Sequence, residues 1–228
     1  MVDIANAVDF NASMAAFKGW VIAVLWQAMD TRLVTAADGV TRCWWCGADP
    51  LYVAYHDNEW GRSLTTDSAI FEKLCLEGFQ SGLSWLTILR KRDNFRRAFA
   101  GFDIERVAAF DDADLARLLG DAGIVRHRGK IASTINNARR AGELIDEVGS
   151  LAAYVDRYRS TRRPGIAVDE PIPTQSVESV AMSKDLKRRG WSFVGPTTMY
   201  AFLQSSGLVD DHIIGCAARP QTSSSGEL

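Results

Sequence analysis

Apolar residues recur along most of this chain at the three-to-four-residue spacing of helices. Ile70, Phe71, Leu74 and Leu76 form one such stripe, which Asp67 can cap. Gly78 and Gly82 are expected to interrupt or close it. After a Ser84 cap, Leu86, Ile88, Leu89 and Phe95 share one face, and Arg90, Lys91, Arg92, Arg96 and Arg97 take the other. Asp111 and Asp114 open a short helix ending near Leu119, and another runs from about Lys130 to about Ile145. A weaker helical pattern covers 149–158, and two more cover 179–189 and 196–205, the last with Pro196 in a favoured first-turn position. Residues 43–60 read as aromatic and irregular, and residues 161–175, with three of the six prolines, as a loop. There is no train of alternating strands and no internal repeat, so the predicted fold is all-α.

The pattern changes at both ends. Ile22, Val24 and Leu25 could form a short helix, but no caps bound it, and Thr35 to Val40 is linker-like. Residues 1–41 are therefore expected to be a poorly ordered extension, 42–220 the folded domain and 221–228 a flexible tail. A chain of 228 residues with 47% apolar and 24% charged residues can bury one sizeable core. The formal net charge of −2 excludes a polycation, so nucleic acid would have to be held by a local basic patch. The longest apolar run, Trp20 to Trp26, is seven residues, far short of a membrane span. Its upstream flank carries Asp3, Asp9 and only Lys18, unlike a secretory signal, and a cytoplasmic location is expected.

Four cysteines, at 43, 46, 75 and 216, suggest reduced thiols, some on metal. His212 and Cys216 are four apart and would face one way on a helical turn. Cys43 and Cys46 form a C-x-x-C followed by Gly47, the shape of a zinc knuckle, and His56 competes for the same ion. Separate buried thiols and a surface histidine are the ordinary alternative. Four protein ligands would make the ion a staple, with no open position for catalysis.

Residues 115–140 read as two amphipathic helices around a tight turn containing Gly120, Gly123 and Gly129, beside Arg126, Arg128 and Lys130. Backbone N–H groups at such a turn and helix start can cradle phosphate without touching bases. The ordinary alternative is a helical hairpin with a solvated basic face, and Lys184, Lys187, Arg188 and Arg189 carry the same ambiguity. Tyr52, Tyr55 and Trp60, with Trp45 upstream and Trp85 downstream, could sandwich a nucleobase, although core packing is the commoner use of any one Trp. Glu77 follows Phe71, Leu74, Cys75 and Leu76 on an apolar helix. A carboxylate there is either exposed at a helix end or buried facing a partner.

The runs at 55–61 (Tyr-His-Asp-Asn-Glu-Trp-Gly), 76–85 (Leu-Glu-Gly-Phe-Gln-Ser-Gly-Leu-Ser-Trp), 121–131 (Asp-Ala-Gly-Ile-Val-Arg-His-Arg-Gly-Lys-Ile), 193–197 (Phe-Val-Gly-Pro-Thr) and 209–216 (Val-Asp-Asp-His-Ile-Ile-Gly-Cys) together resemble the 3-methyladenine DNA glycosylase I family over about residues 42–220. The resemblance implies an all-α helix-hairpin-helix DNA glycosylase with one structural zinc joining the two ends of the domain. It places the zinc on Cys43, His56, His212 and Cys216 and leaves Cys46 a spectator. It gives Glu77 the recognition of the methylated base beside Tyr55 and Trp85, with Trp45, Tyr52 and Trp60 as further pocket walls. It makes Gly123, Arg126, Arg128, Gly129 and Lys130 the DNA-backbone contacts. It does not place here the catalytic Asp that the wider superfamily usually supplies beyond the hairpin. The implied activity is hydrolytic excision of 3-methyladenine from alkylated double-stranded DNA, by a monomer and without a lyase step. A zinc-stapled DNA-binding module without activity is the rival from another class.

Overall fold

The computed structural model describes residues 32–162 and 164–219. The helix expected near residue 22, most of the N-terminal extension and the tail 221–228 lie outside these residues. A hairpin of β1 (Leu33–Thr35) and β2 (Thr41–Cys43) pairs antiparallel with Leu33 opposite Cys43. Helices follow: α1 (Pro50–Asn58), α2 (Asp67–Gln80), α3 (Trp85–Ala98), α4 (Ile104–Ala108), α5 (Asp112–Gly120), α6 (Arg128–Val148), α7 (Leu151–Asp156), α8 (Val177–Arg188) and α9 (Pro196–Ser205). Short 3-10 turns at Trp44–Cys46 and Ala100–Phe102 complete the described residues.

The all-α expectation therefore needs one small correction. The β-hairpin lies largely in the segment read as a linker, and its turn is held by backbone bonds between Ala36 and Val40 and between Gly39 and Ala36. Leu33 packs against a small core of Cys43, Ile166, Ile213, Cys216 and Ala218. The folded body thus begins by residue 32 rather than at 42.

α1 is the second correction, because residues 50–58 were read as irregular. Asp49 caps it, accepting from the backbone of Leu51 and Tyr52, and Pro50 opens its first turn. Tyr52 and Tyr55 line a cavity, and only Tyr55 is also buried in the core, so no apolar stripe announces the helix. α2 begins one residue earlier than its expected cap suggests. Thr66 caps it, and the Asp67 carboxylate instead accepts from the backbone of Leu151. Gly78 does not break α2. A Cβ there would stand 3.4 Å from Phe193 Cβ, so the small residue lets the 192–195 loop approach.

α2 is the central element, contacted by α3, α6, α7 and α9. Leu74 through Phe79 are all buried, so the helix is enclosed around its full circumference at that level. Ring pairs including Phe79–Phe95 at 4.6 Å and Phe99–Phe102 at 5.6 Å fill the core on its α3 side.

Candidate active site

Two buried polar clusters flank α1. Tyr52, Tyr55 and His56 stand at positions that share one helix face, so one element serves both. The first cluster joins Cys43, His56, His212 and Cys216, all buried, with one ligating atom from each lying within 4.8 Å of the others. Cys216 Sγ is 3.5 Å from His56 Nε2 and 3.6 Å from His212 Nδ1, and Cys43 Sγ is 3.8 Å from His212 Nδ1. These four could hold a metal ion.

The C-x-x-C knuckle is not built. The Cys46 thiol turns away and donates to the Cys43 carbonyl at 3.1 Å. Nor do His212 and Cys216 share a helical turn. They are gathered by an irregular turn whose Ile213 bridges to Ile166, with Ile166 N donating to His212 O at 3.0 Å.

The surroundings support the cluster. Asp57 Oδ1 bonds His56 Nδ1 at 2.7 Å, leaving Nε2 to face the sulfur atoms. Arg42 in turn grips Asp57 through Nε at 2.9 and 3.0 Å. Burial pushes the Asp57 carboxyl upward, but its bonds to Arg42 and His56 carry it below the usual range. Burial likewise opposes charge on His56, and the Cys216 sulfur and Asp57 outweigh it and raise its affinity for a proton. Cys216 is lowered chiefly by its bond to Cys43, and Cys43 is raised by the same bond, so one thiolate is favoured at the pair. Gly61, at φ +75°, lets Trp60 turn over the cluster, because a Cβ there would come within 3.1 Å of His212 Nε2.

The second cluster is a cavity of about 390 Å³. Trp45, Tyr52, Tyr55, Trp60 and Trp85 all line it, as the sequence suggested, and the structure adds Trp44. Its remaining walls are Glu77, Gln80, Ile172, Ala201, Gln204 and Asp211. Trp45 is the hinge between the two clusters, with ring centroids 5.3 Å from Tyr52, 4.9 Å from Trp60 and 5.0 Å from His56. Tyr55 and Trp85 meet at 5.3 Å with planes tilted by 42°.

Glu77 is 4% exposed. It is therefore buried and facing the cavity, not loose at a helix end. Its Oε1 accepts from Ser205 Oγ at 2.9 Å and lies 3.4 Å from Lys73 Nζ. Asp211 is buried as well and accepts from Tyr200 Oη at 2.6 Å, Gln204 Nε2 at 2.8 Å and Arg162. With three donors on it, Asp211 is poorly disposed to take a proton from water. Burial, reinforced by the Glu77 charge, raises the Tyr55 phenol well above its usual range.

Gln80, Gln204 and Asp211 escaped sequence reading because polar residues near helix ends are common. Their convergence joins α2, α9 and the loop after α9 across more than a hundred positions. A second groove of about 300 Å³ shares Glu77, Gln80 and Ala201 with the cavity and runs to the exposed rim at Gly82 and Leu83.

The helical hairpin α5–α6 reaches this groove through Lys130, whose Nζ donates to the carbonyl of Ser81 in the groove wall. Its turn is set by Asp121 Oδ1, which accepts from Gly123 N at 2.7 Å, and by Lys91 Nζ on the Ala122 carbonyl at 2.9 Å. His127 caps α6, its Nδ1 accepting from Lys130 N at 3.2 Å. Arg126, Arg128 and Gly129 are exposed, and the two arginines carry no ion pair among the described residues. Lys130 departs from expectation. Its side chain is buried and donates to the Phe79 and Ser81 carbonyls at 2.9 and 2.6 Å. It therefore serves the C-terminal end of α2, tying hairpin to cavity, and its ammonium is not offered to phosphate. In the second basic stretch, Arg188 and Arg189 are spent on Asp185 and Glu147.

The sequence profile of the methyladenine glycosylase family matches residues 45–219. The DNA-3-methyladenine glycosylase 1 of Escherichia coli (strain K12) is 47% identical over 186 residues, covering 78% of this chain and 97% of that protein. A structure addressing 3-methyladenine recognition by 3-methyladenine DNA glycosylase I of Staphylococcus aureus superposes with a TM-score of 0.75 at 34% identity, covering 80% of this chain and 98% of that one. A variant of 3-methyladenine DNA glycosylase I in complex with 3-methyladenine gives 0.75 at 33% identity, covering 80% and 99%. With the match spanning most of the folded body and nearly all of each relative, this chain belongs to the methyladenine glycosylase family and is an enzyme of it.

Proposed function

We propose that this enzyme excises 3-methyladenine from alkylated double-stranded DNA and leaves an abasic site. The carrying observation is a buried, ion-paired carboxylate, Glu77, in the wall of a ring-lined cavity large enough for one purine. The damaged nucleotide is flipped out of the stack into this cavity. N3-methylation makes the base cationic, so aromatic faces attract it and Glu77 accepts hydrogen bonds from its amino edge. The same positive charge weakens the glycosidic bond. When that bond breaks, its electron pair stays with the base and neutralises it. Water then adds to the sugar carbon and surrenders a proton to solvent. Neutral adenine gains neither the charge attraction nor the easy departure. Lys73 does not line the cavity, which fits a hydrolytic reaction without a lyase step.

The α5–α6 unit is read as the helix-hairpin-helix element. Gly123 and Gly129 bring its backbone close to DNA phosphates, and Arg126 and Arg128 supply charge. The Cys₂His₂ set is read as a structural zinc site. Zinc with bonds of about 2.3 Å to sulfur and about 2.0 Å to nitrogen spaces tetrahedral S and N ligands by roughly 3.6 Å. The observed S–N separations of 3.5 to 3.8 Å fit that spacing. Four protein ligands leave the ion no catalytic position, and its contribution is to hold the β-hairpin, α1 and the C-terminal turn together. No helix among the described residues is long and apolar enough to cross a membrane. The enzyme is proposed to act as a cytoplasmic monomer whose glycosylase domain, expected over 42–220, extends back to include the whole β-hairpin from Leu33.

The experiment is release of free methylated base from alkylated DNA, comparing the wild-type chain with Glu77→Gln. Wild-type release that collapses in the variant supports the proposal. DNA binding without base release would instead favour a non-catalytic binding module.

A further inference from the structure

A site that reads a cationic base would not be expected to hide an ammonium behind its own aromatic wall, yet Lys73 is placed there. Its Nζ lies 3.9 Å from the Trp85 ring centroid and 4.8 Å from that of Tyr55. It donates to Tyr55 Oη at 2.5 Å and stands 3.4 Å from Glu77 Oε1, one helical turn along α2. Lys73 lines a separate chamber of about 100 Å³ behind these rings, together with Glu59, Glu72, Arg92, Arg96 and Ser205. The other charges in that chamber are already matched. Arg92 pairs with Glu59, and Arg96 pairs with Glu72. Among the described residues Lys73 and Glu77 are therefore each other's only ion-pair partners.

We infer that Lys73 is a positioning and specificity residue, whose side chain holds the Glu77 carboxylate and the Tyr55 ring in place from behind so that both are set when a cationic base arrives. This rests on the reading of Glu77 as the base-recognising group. Glu77 has a single hydroxyl donor, Ser205, so the Lys73 ammonium is its one other fixed contact. Moving the countercharge to the rear leaves the front ring faces and the second carboxylate oxygen for the base. Lys73 does not touch the base in this arrangement and acts through Glu77 and Tyr55. Burial, partly offset by Glu77, lowers the proton affinity of Lys73 itself, so the pair is a costly one to keep for packing alone.

The test is kcat/KM for excision from 3-methyladenine-containing DNA across pH, in wild type, Lys73→Met, Lys73→Gln, Glu77→Gln and the two double variants. Lys73→Gln, although one bond shorter, keeps a neutral donor towards Tyr55 if Lys73→Met fails to fold. The expected result is a loss of at least about tenfold in both single Lys73 variants at each pH. In the Glu77→Gln background, removing the lysine charge should cost little more. An undiminished loss in the Glu77→Gln background would mean a structural role and overturn the inference, as would single Lys73 variants that excise at the wild-type rate. Glu77→Gln excising at the wild-type rate would instead overturn the reading of Glu77, and this inference with it.

Discussion

The cysteine–histidine cluster and the ring-lined cavity share α1 and lie one aromatic layer apart, yet they are opposite kinds of site. In the first, four buried Cys and His side chains face one another, and the outer nitrogen of His56 is tied to Asp57 and, through it, to Arg42. Nothing is left over for a substrate. In the second, polar groups converge on empty space, and Glu77 is satisfied only on the side away from it. A closed cluster spends its bonding capacity on the fold, and an open one reserves it. Damage to the first should therefore appear mainly as lost stability, and damage to the second mainly as lost activity.

The largest expected effect is on the cluster. His56→Ala or Cys216→Ser should abolish metal binding, and losing about 3 kcal/mol or more would lower Tm by roughly 6–12 °C. Metal content by atomic absorption and thermal melting check this. Cys46→Ser should keep both metal and Tm, and zinc lost from that variant but kept by His56→Ala would invert the ligand assignment. Next comes Glu77→Gln, expected to lower kcat/KM by roughly a hundredfold, far out of proportion to the fall in Tm that leaving Lys73 without its partner brings. A large fall in Tm with proportionate activity would show that the cavity, like the cluster, is structural.

Smaller effects belong to the surface. Arg126→Ala and Arg128→Ala should each weaken DNA binding and reduce the salt-dependence slope by about one, as read from titrations at several salt concentrations. Lys130→Ala should destabilise the α2–α6 junction and leave that slope unchanged, since its ammonium is already committed to carbonyls. The smallest effect concerns acid stability. Burial pushes Asp185 upward, but its bonds to Arg189, Tyr154 and Arg188 hold it below its ordinary 3.8. The folded state thus binds fewer protons there than the unfolded chain. That stabilisation is complete above the ordinary value and is lost as pH falls through the lowered one. Urea midpoints measured down through the acid range should fall less steeply in Asp185→Asn than in wild type.

The sequence resolved the long helices well, because a helix packed on a core must repeat its apolar residues at the helical period. α3, α6, α8 and α9 lie where that period put them, within a few residues at each end. α1 shows no core stripe because its tyrosines line a cavity and only Tyr55 is also buried in the core. The β-hairpin was missed because two three-residue strands leave too few positions for alternation to register. Glu77 was visible as an acid among apolar neighbours, but its two possible settings could not be separated until α2 proved to be enclosed. Lys130 shows the converse. In one dimension it belongs to a basic run with Arg126 and Arg128, and in three it points the other way, into the protein.

What the sequence determined by itself is therefore local: which segments are helical, and which side chains can bind metal, stack on a base or carry charge. Those properties follow from backbone periodicity and side-chain chemistry, both of which act over a few residues. What only the tertiary structure decided is partnership. The closing of Cys43 and His56 onto His212 and Cys216, the withdrawal of Cys46, the ion pair behind the aromatic wall and the convergence of Gln80, Gln204 and Asp211 all depend on distances between segments far apart in the chain. The physical reason is that burial makes an unpaired charge or polar atom costly, and the partner that removes the cost is chosen by packing, which sequence spacing does not record.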